Sequence, residues 1–208
     1  MVQTGSKPLL LARLRQLTES HHRQIESSLA FLQSDCTLND YRLLLEVFFS
    51  YHSPWELVVC QSAPDLLAGR SKLGNLWNDL QWLGASPDEI TSLEMCTTLP
   101  PLDTRPRILG SMYVLEGATL GGQLLQRYFV RQFDLSRGGC AFFRGYGQQT
   151  GAMWKQFGEM LAAVPDAHSD AAIESAIATF DSMRTWICKS KLVRCNALTR
   201  SAEVAARA

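Results

Sequence analysis

Long uninterrupted apolar runs are missing from this chain of 208 residues. A membrane-spanning helix needs roughly 18–20 consecutive apolar residues. The most apolar region, 43–60, is interrupted by Glu46, His52 and Glu56. The short apolar run at 9–12 stops at Arg13, which is too brief for a secretory signal. A surplus of either charge is also missing, because 20 Lys and Arg balance 20 Asp and Glu. That balance excludes the basic footprint of a nucleic-acid binder. Zinc-type clusters are missing as well. The six cysteines, at 36, 60, 96, 140, 188 and 195, form no CxxC and have no histidine at ligand spacing. Scattered cysteines of this kind read as reduced thiols in the cytoplasm. The expectation is therefore a cytoplasmic protein with no membrane anchor and no nucleic-acid partner.

Sustained alternation of apolar and polar residues is absent too, which excludes a sheet protein. No internal repeat or low-complexity tract occurs. What is present is apolar spacing of three and four along nearly every long segment. It predicts an all-α bundle of about seven helices in one domain spanning 1–208, with frayed tails at 1–7 and 193–208. The first helix is expected over 8–31, with Leu10, Leu14, Leu17, Ile25 and Leu29 as its buried stripe. The second starts after Thr37, an N-cap with Asp40 three residues on, and runs toward Cys60. Pro54 should kink or break it. Helices are then expected at 71–83, briefly after Ser86, at 105–133, 150–164 and 170–192. Loops are expected at Pro100–Pro101 and over the glycine-rich stretch 136–147.

The long segment 105–133 carries an oddity. Gly110, Gly117, Gly121 and Gly122 sit inside an otherwise helical pattern. Each costs about 1 kcal/mol relative to alanine there, so ~3–4 kcal/mol together. Spacings of seven and four put Gly110, Gly117 and Gly121 on one face. A face without side chains admits either a flat, bulky ligand or close packing of a neighbouring helix. Of the four histidines, His52 precedes the helix-disrupting Pro54 and reads as a local hydrogen-bond partner, and His168 falls in a solvated loop. His21 and His22 are adjacent and point about 100° apart, so only one faces a given pocket. His21 continues the spacing of Leu10, Leu14 and Leu17. His22 has Glu26 one turn on, where a carboxylate can accept its ring N–H. Spacing alone leaves both open.

Two of these segments together resemble the heme oxygenase family. The run from Thr18 through His22 to Glu26 resembles the family's proximal motif. The run Tyr113-Val-Leu-Glu-Gly117-Ala-Thr-Leu-Gly121-Gly122-Gln resembles its distal helix. The distal run is closest to the bacterial type encoded beside phytochromes. The resemblance implies His22 as the iron ligand, Glu26 as its partner, and heme held between the first helix and the glycine helix. It implies that Gly117 and Gly121 bring the distal backbone close to the reacting oxygen, with Gly122 beside them. Arg15 occupies the place of a propionate-holding base, and Tyr113 and Lys155 are further propionate candidates. The implied reaction takes heme and O2, with electrons from a ferredoxin or reductase, to biliverdin, carbon monoxide and free iron. A bacteriophytochrome is the implied acceptor of biliverdin. One departure stands out: many members have an aspartate where this chain has Ala118. Rival readings are a heme sensor or carrier on the same fold, a thiaminase-like hydrolase using a cysteine such as Cys140, and a helical interaction protein without a ligand.

Overall fold

A computed structural model describes residues 10–29 and 36–190. Among them every regular element is helical. The α-helices are α1 (Leu10–Ser28), α2 (Leu38–Ser62), α3 (Pro64–Leu67), α4 (Leu73–Trp82), α5 (Pro87–Thr91), α6 (Arg105–Phe133), α7 (Ala141–Arg144), α8 (Thr150–Ala162) and α9 (Ser169–Lys189). No helix of the described residues is long and apolar enough to cross a membrane. The expected ends of the first and last helices at Pro8, Phe31 and Leu192 lie outside the described residues, as do the expected tails and Cys195.

Local chemistry explains the starts. Thr37 caps α2 reciprocally: its Oγ1 accepts from the Asp40 N–H at 3.1 Å, and the Asp40 carboxylate accepts from the Thr37 N–H at 2.9 Å. Ser86 and Glu89 repeat the arrangement at α5. Long α6 keeps its expected bounds, with Pro106 in the first turn where no N–H is needed. It closes on Asp134, in the left-handed region at φ 51°.

Three expectations are corrected. Pro54 does not break α2, which runs through it without interruption. A proline here deprives the Ser50 carbonyl of its helical donor, and the Cys96 N–H takes that place at 2.9 Å. Leu17 does not join the buried stripe and is 46% exposed. Burial on α1 centres on Leu14 and Thr18, and Leu17 lies to one side of that line. The glycine-rich stretch is not all loop, since it contains α7. Buried Asp79 of α4 makes that short helix possible by accepting the N–H groups of Ala141 and Phe142, both at 2.8 Å.

The core has two parts joined by α6. Ile108, Leu109, Met112 and Leu115 of its first half pack with residues of α1, α2, α8 and α9. Phe129, near its end, packs with Tyr41, Leu80 and Phe143. Helix α9 packs most extensively against α6 and next against α1. The contact with α6 is backbone to backbone at Gly110: a methyl group there would lie 1.9 Å from the Ala172 carbonyl oxygen. Gly121, on the same face of α6, has nothing within 4 Å of that position. The two glycines should therefore respond oppositely to alanine. Gly121→Ala should raise stability by up to about 1 kcal/mol through helix propensity. Gly110→Ala should lower it by ~1–3 kcal/mol, as overpacking outweighs the same gain. Denaturant melts of the two variants check both signs.

Candidate active site

Helix α9 carries α1 and α6 on its surface, and the site lies where those two helices are left uncovered. Near one end Ala172 meets Gly110 of α6. Eight residues on, about 12 Å along a helix, the Phe180 ring meets the His22 ring edge-on with centroids 6.0 Å apart. The next residue, Asp181, takes His21: its carboxylate lies 2.9 Å from Nδ1. His21 is thus engaged with α9. The His22 side chain is 59% exposed, and its Nδ1 lies 3.5 Å from the Glu26 carboxylate one turn on. A proton held on Nδ1 toward Glu26 leaves the lone pair on Nε2, the tautomer that binds a metal.

On α6 the corresponding surface is bare. Gly121 faces open space. Leu120 and Leu124 beside it are exposed, Leu124 by 71%. Gly117, one turn before Gly121, is overlooked by the Trp154 ring of α8, 3.8 Å from where a methyl would stand. Trp154 also packs near Tyr113, with ring centroids 6.1 Å apart. From Trp154 an open groove of about 420 Å³ runs between α8 and the start of α1, lined by Leu10, Leu11, Lys155 and Gly158 among others. Leu11, Arg15 and His22 share one flank of α1, by their spacing of four and seven. Arg15 and Lys155 are both exposed.

The structure therefore gathers Tyr113, Gly117, Trp154 and Lys155 about the contact of α8 with α6, has Gly121 one turn further along α6, and carries His22, Glu26 and Arg15 at exposed positions of α1. It places the other two glycines elsewhere. Gly110 packs on α9, and Gly122 is buried against α7, 3.2 Å from the Phe143 carbonyl oxygen in the direction of a would-be methyl. Of the four glycines, Gly110 and Gly122 serve close packing, Gly117 lies under the Trp154 ring, and Gly121 leaves its face open. Ala118 is exposed. His168 lies exposed in a 3-10 turn at Asp166–His168.

Sequence reasoning missed a buried charged cluster behind Gly117. Glu116 is buried on α6. Its carboxylate accepts from Arg70 Nη1 at 2.6 Å and from Lys72 Nζ at 3.0 Å. The Tyr146 hydroxyl lies 2.8 and 2.9 Å from its two oxygens and also meets Lys72. Glu56 accepts the Lys72 backbone N–H at 2.7 Å. Burial pulls the Lys72 ammonium below its usual range, against the attraction of Glu116. Burial likewise pushes the Glu56 carboxyl up. His52 is not the satisfied local partner expected. Its Nδ1 is buried without a hydrogen-bond partner, 3.9 Å from the Glu56 carboxylate. Burial, with Lys72 adding to it, drives the ring down to about 3. A charged residue in the apolar run Tyr113-Val-Leu-Glu116 was the available signal; its partners come from chain segments too distant to be read from spacing.

His52 yields a pH prediction. Its folded pKa lies below the ordinary value of 6.5. The unfolded chain therefore binds a proton that the folded chain refuses, and stability falls as pH drops from about 6.5 toward 3. His52→Asn should flatten that part of the stability curve, read from urea midpoints at pH 7, 6, 5 and 4.

Comparison with known proteins gives the family and the fold. The family model described as heme oxygenase matches residues 9–189. The heme oxygenase structure from Leptospira interrogans superposes with a TM-score of 0.70 at 19% identity, covering 86% of this chain and 98% of that one. The NO- and CO-bound heme oxygenase from Neisseria meningitidis gives 0.70 at 18% identity, covering 88% and 92%. Heme oxygenase 2 from Chlamydomonas reinhardtii, solved without heme, gives 0.67 at 20% identity, covering 88% and 98%. No curated protein matches the chain. The structural likenesses show a shared fold, and the match over nearly the whole described chain shows the family: this protein belongs to the heme oxygenases.

Proposed function

We propose that the chain binds heme between α1 and α6 and opens the ring to biliverdin, carbon monoxide and free iron, using O2 and electrons from an external donor. One observation carries the reading. An exposed imidazole, already steadied by a carboxylate, and a bare strip of glycine and leucine stand on two helices borne by a third. A flat apolar ring with a metal at its centre suits that pair of surfaces. Heme, when bound, supplies both the redox-active iron and the carbon skeleton that is cleaved.

The protein's part is to bind, orient and exclude. His22 offers Nε2 as iron ligand, and Glu26 accepts the Nδ1 proton and holds the ring's orientation. Arg15 and Lys155 suit the heme propionates, with Arg15 able to make a bidentate pair. Tyr113 stands on the same side as a hydroxyl donor. Gly121, and Gly117 beside the Trp154 ring, add no side chains of their own and would let the ligand approach the α6 backbone. Leu120 and Leu124 cover apolar ring that water would otherwise touch. Ala118 has no ionisable group, so it does not itself supply protons on that side.

Titration of the purified protein with heme, followed by aerobic incubation with a reductant, tests the reading. His22→Ala should weaken heme binding by at least ~10-fold and stop turnover, with partial recovery on adding imidazole. His21→Ala should keep the heme spectrum, because His21 serves Asp181. The reverse pattern would overturn the ligand assignment. Heme that survives the incubation intact would instead identify a carrier or sensor. Gly121→Leu should fold, since the position is open, yet lose or misdirect ring opening because its side chain fills the slot. Wild-type yield and isomer pattern from that variant would count against the slot.

A further inference from the structure

Arg70 lies in the short connection between α3 and α4, and its side chain is buried. Its Nη1 donates to the Glu116 carboxylate on α6 at 2.6 Å. Its Nη2 donates to the Met153 carbonyl at 3.2 Å and to Gln156 Oε1 at 3.0 Å, both on α8. Glu116 directly precedes Gly117, and Met153 directly precedes Trp154. One guanidinium thus clasps two helices on either side of the point where the Trp154 ring overlooks Gly117. Lys72 and Tyr146 meet the same carboxylate, but their hydrogen bonds do not extend to α8. A planar fork with donors on two nitrogens reaches both helices at once, whereas a lysine ammonium is a point charge on a flexible stem.

We infer that Arg70 is a positioning residue for the heme site: it holds α8 on α6 so that Trp154 stays against Gly117, and thereby sets how a flat ligand sits beside Gly117 and Gly121. The first half stands on the geometry alone, and the second rests on the heme reading above.

Full-length protein labelled with 5-fluorotryptophan tests the clasp without heme. The chain has five tryptophans, and Trp154→Phe assigns the Trp154 19F resonance. Arg70→Lys keeps the charge beside Glu116 but loses the bridge. It should move the Trp154 resonance and leave those of Trp77, Trp82 and Trp186 in place. With heme and reductant, its biliverdin isomer ratio should change by about twofold or more, as displacement at a reacting centre does. Gln156→Leu, a change at an exposed position that removes one bond of the bridge, should move both readouts the same way by less. A folded Arg70→Lys with an unmoved Trp154 resonance overturns the clasp. A moved resonance with an unchanged isomer ratio overturns its link to the heme site. If Arg70→Lys does not fold, Gln156→Leu decides by the same two criteria. If the wild type leaves heme intact, the proposed function falls, and the 19F comparison still decides the clasp.

Discussion

The close approach of two backbones, Gly110 of α6 against Ala172 of α9, is the constraint on which the rest of the arrangement depends. Helix α9 is the common support of α1 and α6. How far it sits from α6 decides where Phe180 and Asp181 stand, and these place His22 and His21. Any side chain at Gly110 would lift α9 and carry α1 away with it. The cost of a glycine in a helix interior is thus offset by a contact that no other residue permits. Gly121 pays the same penalty for the opposite end, keeping a surface clear instead of bringing one near.

Behind that surface the protein buries charge, which is costly in itself. Arg70, Lys72, Glu116 and Glu56 are all buried. Replacing such a cluster with well-packed apolar groups is often neutral or stabilising, so stability alone does not explain it. What hydrogen-bonded ions provide and apolar packing does not is direction. The bonds of Arg70 and Lys72 leave from fixed atoms toward α6, α8 and Tyr146. A leucine cluster would tolerate sliding of α8 over α6, whereas a forked donor specifies one register.

Much of this was legible in the sequence, and what was not has physical causes. The bounds of α6 and the Thr37 cap follow from periodicity and local hydrogen bonding, which act within a few residues. The four glycines were visible, but a helical projection compresses the axis. Gly110 and Gly121 share a direction yet lie about 16 Å apart along the helix, one under α9 and the other in the open. Pro54 reads as a helix breaker because the Cys96 N–H that makes up for its missing donor lies 42 residues on. Asp79 supports α7 from a distance of 62 residues, so a segment that looks like loop by composition becomes a helix. Spacing left His21 and His22 equivalent because the carboxylate that His21 holds lies 160 residues away.

A contact made of main chain alone has no rotamers. Where Gly110 meets Ala172 nothing can swing aside or spring back. The joint between α6 and α9 is therefore rigid, and adaptation to a ligand must come from exposed side chains away from it. There Arg15, Lys155 and Leu124 stand in solvent on long, rotatable stems. A molecule binding this protein meets a soft lip on a stiff frame, and its fit is negotiated at the edge.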